Sequence, residues 1–161
     1  MEAAPPCSAL SLDLGRRRIG LAGCDPLGLT VTPLPALRRG SFPEDVAALA
    51  SLLRQRKARA LVIGLPLDAQ QRPTRQAEHC RRYGIRLVRT LAQQGLSLPL
   101  AWVNEHSSSW LAGECFGLHG DRSGRLDSAA AALLLEQWLR EGPAAQPLRL
   151  DRSAIAHRGP S

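Results

Sequence analysis

Residues 9–25 read Ala-Leu-Ser-Leu-Asp-Leu-Gly-Arg-Arg-Arg-Ile-Gly-Leu-Ala-Gly-Cys-Asp, and this stretch restricts the possible folds more than any other. Leu10, Leu12 and Leu14 alternate with Ala9, Ser11 and Asp13. That is the period-2 pattern of a β-strand, and it puts Asp13 on the face opposite the leucines. Gly15 breaks the run, Arg16, Arg17 and Arg18 form a polar bend, and residues 19–23 resume as a small-residue strand able to return antiparallel. The pattern predicts a hairpin that holds one carboxylate on a rigid element beside a bend. An acid on the wet face of a strand is as often there for solvation as for chemistry, so the meaning of Asp13 depends on the rest of the chain.

Downstream, residues 29–32 predict a third short strand, closed by Pro33 and Pro35, which would complete a three-strand antiparallel meander. Ser41 as N-cap, Glu44 three residues on and Pro43 in the first turn mark a helix start. Val46, Leu49, Leu52 and Leu53 give that helix an apolar stripe to about Arg56 or Lys57. Residues 60–63 are an unbroken apolar run closed by Gly64, Leu65 and Pro66, as in a central strand buried on both faces. A helix is expected over 74–94, with Ala77, Cys80, Leu87, Val88 and Leu91 inward, Gly84 as a soft spot and Gly95 as its cap. Its arginines, among them Arg82 and Arg86, read mainly as a solvated face. Residues 100–103 predict another buried strand, ending in Asn104, Glu105 and His106, and a helix over about 109–116 follows. The last helix spans about 125–140, with Asp127 in its first turn on the stripe of Ala130, Ala131, Leu134 and Trp138.

This order of elements predicts an α/β fold: a mixed sheet with an antiparallel meander, further parallel strands, and helices on both faces. One domain over 9–140 is expected, with a flexible tail at 1–8 and a C-terminal tail at 141–161. No apolar run approaches the length of a membrane span and no signal-peptide plan is visible, so the expected location is the cytoplasm. Cys7, Cys24, Cys80 and Cys115 lack the spacing of a zinc or redox motif. A formal charge of +7, carried by arginine apart from Lys57, favours a polyanionic partner. Low aromatic content disfavours a sheet that stacks unpaired bases.

Three acids occupy comparable points in this order: Asp13 on the first strand, Glu105 at the end of a later one, Asp127 opening the last helix. If the strands are neighbours, the carboxylates converge at one rim of the sheet, where open α/β sheets place their sites. Like charges gathered together need a cation, and hard ions such as Mg²⁺ take oxygen ligands. One or two such ions activate water and stabilise the leaving oxygen of a phosphodiester.

Four blocks in this sequence resemble the motifs of the YqgF/RuvX family, the Holliday-junction resolvases also described as pre-16S rRNA nucleases. Leu12-Asp13-Leu14-Gly15 with Arg18-Ile19-Gly20-Leu21-Ala22 and Asp25-Pro26 is similar to the first motif, and Val62-Ile63-Gly64-Leu65-Pro66-Leu67 to the Gly-Leu-Pro loop. Asn104-Glu105-His106 with Ser108, Ser109 and Ala112 is similar to the third, and Leu126-Asp127-Ser128-Ala129-Ala130-Ala131 to the final helix. The resemblance implies an RNase H-like fold and a nuclease in which Asp13, Glu105 and Asp127 are catalytic and hold Mg²⁺ or Mn²⁺. It also implies Gly15, Arg16, Arg18, Gly64, Pro66, Asn104, His106 and Ser108 as substrate-binding positions. The partner would be pre-rRNA or branched DNA, the protein a monomer or homodimer. The sequence departs from the family pattern where Asn104 replaces an acid, His106 an arginine and Ser108 and Ser109 threonines, and where Gln71 stands at a usual glycine. Those departures motivate a second reading, a nucleic-acid-binding or ribosome-assembly module with the same fold and weak or absent catalysis. A nucleotide phosphotransferase, the third reading, would need a second lobe for which the chain has no motif.

Overall fold

The computed structural model describes residues 8–66, 70, 72, 74–105 and 124–141, of Glu105 and Glu141 only the backbone. The elements are β1 (Ala9–Leu14), β2 (Arg18–Cys24), β3 (Val31–Arg38), α1 (Phe42–Arg56), β4 (Ala60–Pro66), α2 (Arg75–Gln93), β5 (Leu100–Glu105) and α3 (Arg125–Glu141). Of the expected tails, 1–8 and 141–161, only Ser8, buried beside β1, and Glu141, which ends α3, are described; the rest, with the helix near 109–116, lies outside the described residues.

The strands form one sheet in the order β3-β2-β1-β4-β5. β1 runs antiparallel to β2 and β2 to β3, whereas β1–β4 and β4–β5 are parallel. The meander and the two parallel strands are therefore present, with β1 as the seam between them. Alternation in β1 sends Leu10, Leu12 and Leu14 to one face, where they pack with Leu61, Ile63, Leu100 and the apolar stripes of α1 and α2. Ala9, Ala22, Cys24, Ala60, Val62, Ala101 and Val103 line the other face beneath α3. Each fully buried leucine contributes roughly 1.5–3 kcal/mol relative to exposure.

Two expectations change in the structure. β3 does not stop at its prolines but runs through Pro33 and Pro35 to Arg38, while Leu29 and Thr30 precede it. An edge strand tolerates proline because half of its N–H groups have no ladder partner to lose. The step from Ile19–Leu37 to Leu21–Leu34 shows a bulge that takes up the irregularity. Gly84 is not a soft spot: a Cβ there would lie 2.8 Å from both Ile63 Cδ1 and Trp102 Cη2, so the missing side chain lets α2 approach the sheet. Gly84→Ala is expected to overpack this contact and lower unfolding stability by roughly 1–3 kcal/mol, read from denaturant melts at unchanged m-value.

The helix ends follow from local chemistry. Ser41 and Glu44 form the capping box at α1, and Lys57 closes it in the left-handed conformation at φ 52°. Thr74 caps α2 by accepting from the Ala77 N–H at 3.0 Å, and its hydroxyl donates to the Pro66 carbonyl at 2.8 Å. Gln76 donates to the Leu14 carbonyl at 3.2 Å. These bonds bring the start of α2 to the carboxyl ends of β1 and β4, the rim that carries Asp13.

Candidate active site

Asp13 is half-buried and stands on the α3 side of β1, opposite the leucines. Its antiparallel partner on β2 is Gly20. A Cβ on Gly20 would lie 2.0 Å from the carbonyl oxygen of Asp127 and 2.8 Å from the Ser128 nitrogen. The backbone of the first turn of α3 therefore rests directly on Gly20, beside Asp13. Directly opposed residues in an antiparallel pair project from the same face, so Asp13 and Asp127 share one corner of the molecule.

The seat of α3 is built from small and hydroxylated residues. Ser11, fully buried, donates to the Ala131 carbonyl at 2.6 Å. Next to the β2–β3 bulge, the Leu21 N–H donates to the Ser128 hydroxyl at 3.3 Å. Gly124, at φ 93°, precedes the helix, and a Cβ there would lie 2.8 Å from the Ala36 Cβ. The run of alanines at 129–132, all buried, thus serves close approach to the sheet as well as helix propensity. The small residues of β2, Gly20, Ala22 and Gly23, do not leave room above Asp13 for metal and phosphate. Gly20 is filled by the helix backbone, Ala22 packs under α3, and Gly23 lies beneath the Arg56 guanidinium, whose Nε a Cβ would approach to 2.4 Å. One step past the Leu12–Ile63 pair, Gly64 is the β4 neighbour of Asp13 and carries no side chain.

Burial raises the pKa of the Asp127 carboxyl, and the Arg18 guanidinium only partly offsets this. Arg18 Nη1 stands 3.8 Å from Asp127 Oδ2, both side chains one-third exposed, a weak and loose pair. Among the described residues no other group compensates this desolvated acid. Its chemistry, an oxygen donor at the corner that also carries Asp13 and short of positive charge, fits a hard divalent cation. Among the described residues no group of three potential metal ligands is complete. The third acid, Glu105, ends β5 opposite Pro66, and position 105 has the strand parity of Ala101 and Val103 on the α3 side. Its side chain lies outside the described atoms.

The other expected site residues fall as follows. Gly15 closes the hairpin by donating its N–H to the Arg18 carbonyl at 2.9 Å, while Arg16 and Arg17 are exposed at the tip. Pro66 holds the start of α2 through its carbonyl. Asn104 is exposed and shares the parity of Trp102, which packs on the α1–α2 side, away from Asp13. His106, Ser108, Ser109 and Gln71 lie outside the described residues. Asp25 organises the turn that follows it, its carboxylate accepting from the N–H groups of Thr30, Leu29 and Leu27 and from the Thr30 hydroxyl. Those bonds, the Thr30 N–H foremost, hold its pKa below the ordinary value. Sequence reasoning missed Ser11 and Ser128, and the signal was there: a hydroxyl on a buried strand face and another beside an alanine run each need a partner.

The RuvX family, described as Holliday junction resolvase, matches residues 7–141. A protein of Parasynechococcus marenigrum, provisionally named pre-16S rRNA nuclease, is 66% identical over 144 residues, 89% of this chain and 88% of that protein. A relative of the same name from Prochlorococcus marinus (strain MIT 9313) is 63% identical over 145 residues, 90% of this chain and 87% of its own. Among solved structures, Thermus thermophilus RuvC in complex with a Holliday junction superposes with a TM-score of 0.56 at 14% identity, covering 88% of this chain and 99% of its own. The sheet order and flanking helices are those of this RNase H-like fold.

Proposed function

The chain belongs to the RuvX family, and from that premise we propose that it is a divalent-metal-dependent endonuclease of structured nucleic acid that trims the 5′ end of pre-16S rRNA. The observation that carries this reading is the seating of the Asp127 backbone on Gly20, the partner of Asp13, which puts a desolvated, undercompensated carboxylate on the same corner of the sheet as a second acid. The names of the relatives favour precursor rRNA over branched DNA. A resolvase acting on a junction would need two such sites, hence a homodimer, whereas end trimming needs one; the expected compartment in either case is the cytoplasm. Among the described residues no helix is long and apolar enough to cross a membrane.

In this reading Asp13, Asp127 and Glu105 hold Mg²⁺ or Mn²⁺. When bound, the metal activates water and neutralises charge on the leaving oxygen. Asp13 is fixed on the central seam of the sheet and Asp127 on a helix anchored by Ser11 and Ser128, so both acids are positioned before substrate arrives. Arg18, only loosely paired with Asp127, would offer its fork to a phosphate beside the acids, and Arg16 would meet the strand at the hairpin tip. Gly15 keeps that bend narrow, and Gly64 and Pro66 form the rim over which the strand passes. Asn104, His106 and Ser108 belong to substrate contact rather than to the metal. The position of Asn104 on the other face of the sheet means that its missing charge does not weaken the pair of Asp13 and Asp127.

The test is incubation with an end-labelled, 5′-extended 16S precursor and with a four-way DNA junction, in Mg²⁺ and in EDTA. Shortening of the RNA in Mg²⁺ alone is the expected result. Binding without cleavage of either substrate in Mg²⁺ or Mn²⁺ would leave the non-catalytic module as the function, and cleavage of the junction alone would move the substrate to DNA.

A further inference from the structure

On the α1–α2 side of the sheet, next to the hairpin that carries Asp13, lies an open cleft of about 220 Å³ lined by Arg39, His79, Arg82, Arg86 and the rings of Phe42 and Tyr83. We propose that this cleft binds the phosphodiester backbone of a nucleic-acid strand outside the scissile position, a second grip on the substrate. The proposal rests on the nuclease reading for its choice of ligand.

Its charge is unbalanced. Three guanidinium groups line it, and the one carboxylate among its lining residues, Asp45, is buried and already engaged. Asp45 Oδ1 accepts from the Gly40 N–H at 2.9 Å, and Oδ2 accepts from the Tyr83 hydroxyl at 3.2 Å and stands 4.0 Å from Arg39 Nε. Among the described residues neither Arg82 nor Arg86 has an acidic partner. Clustering like charges in one concavity is unfavourable without an anion, and a solvated arginine face would spread them apart.

Two of the three guanidinium groups are also held in place. Arg86 lies over the Phe42 ring at 3.9 Å and Arg39 over the Tyr83 ring at 4.9 Å, with the two rings packed edge to face at 5.6 Å. A guanidinium held over a ring at these distances is anchored without spending its N–H donors on an acid, and those donors can grip a phosphate in a bidentate manner. Burial, followed by the Asp45 charge, pushes the Tyr83 pKa up, so its hydroxyl stays neutral and adds no negative charge.

The cleft is fastened to the catalytic hairpin. Arg39 Nη1 donates to the Gly15 carbonyl at 2.9 Å, and its own N–H donates to the Arg17 carbonyl at 2.8 Å. With Arg16 and Arg17 exposed at the tip, basic groups run from the cleft across the hairpin toward Asp13. That continuity favours a polymeric phosphate over a free small anion, and a water's share of volume, ~30 Å³, shows that the cleft has room for a phosphodiester group with several waters.

The test compares wild type, Arg82→Gln/Arg86→Gln and a control pair, Arg59→Gln/Arg89→Gln, by anisotropy of labelled precursor RNA and junction DNA across a salt series in EDTA. The control removes the same charge from exposed positions elsewhere. The cleft pair is expected to bind about tenfold more weakly and to show a salt slope shallower by about 1.4–1.8, two phosphate contacts' worth, while the control stays near wild type. Arg82→Lys/Arg86→Lys should restore the slope, which separates lost contacts from a damaged fold. Equal behaviour of the two Gln pairs, or absence of nucleic-acid binding by the wild type, overturns the proposal. So does pair-dependent binding of inorganic phosphate with unchanged nucleic-acid affinity. Since the assay contains no metal, loss of the cleavage reading leaves this result standing, and Mg²⁺-dependent cleavage indifferent to Arg82 and Arg86 would do the reverse.

Discussion

Asp127→Asn is expected to lower Mg²⁺-dependent cleavage on the order of 10³-fold while raising the melting temperature of the metal-free protein at neutral pH. The loss follows because a bound metal supplies several kcal/mol of transition-state stabilisation, and each 1.36 kcal/mol is tenfold in rate. The gain follows from the raised pKa of the carboxyl. A group whose folded pKa lies above its unfolded value contributes its stability while protonated, below the unfolded value, and that contribution is lost as pH rises through the folded value. At neutral pH the wild type therefore carries a desolvated charge that Arg18, at 3.8 Å, compensates only in part. Asparagine never ionises, so the stabilisation should be clear at pH 7 and fade as the pH falls toward the ordinary carboxylate value of 3.8. Thermal melts across pH, with and without Mg²⁺, read both arms. A variant that melts lower than wild type at pH 7 without metal would show that the carboxylate is structural.

Gly20→Ala is expected to be the most damaging glycine replacement. The contact at Gly84 involves flexible ends of side chains at 2.8 Å, whereas the new Cβ at position 20 meets the Asp127 carbonyl oxygen at 2.0 Å and its carbon at 2.2 Å. Backbone cannot rotate away. The first turn of α3 must lift from the sheet, weakening the bond from the Leu21 N–H to the Ser128 hydroxyl, and carry Asp127 away from Asp13. A stability loss at or above ~3 kcal/mol, the upper end for overpacking, is expected. Cleavage should fall further than stability explains, because a misplacement of about 1 Å costs about 10² in rate. Measuring kcat at a temperature where the variant remains folded separates the two effects. Retention of full kcat would mean that the seat on Gly20 does not position the acid.

Much of this was legible in the sequence where short-range chemistry decides. The alternation of Leu10, Leu12 and Leu14 with Asp13, the capping box of Ser41 and Glu44, and the apolar run at 60–63 each carry their own local cause. So does the phase of the last helix, with Asp127 on the stripe of Ala130, Leu134 and Trp138. What was not legible depends on contacts distant in sequence. That Gly20 makes room for a helix more than a hundred residues later, and Gly84 for Trp102, requires knowing which surfaces meet. The same holds for Asp45: in sequence it is one more acid in a first helical turn, and only packing against Tyr83 and Arg39 shows it as the buried centre of a basic cleft. Pro33 and Pro35 read as stops because proline breaks central strands, and the edge position of β3 removes that constraint.

The edge position has one more consequence. Two copies of a sheet protein often join by extending one sheet into the next, strand against strand, through the donors of an open edge. Here Pro33 and Pro35 delete two donors from β3, and the bulge twists the strand near its middle. β3 is thereby a poor template for a second copy, so a sheet shared between two of these molecules would have to be built through β5, the other edge of the sheet among the described residues.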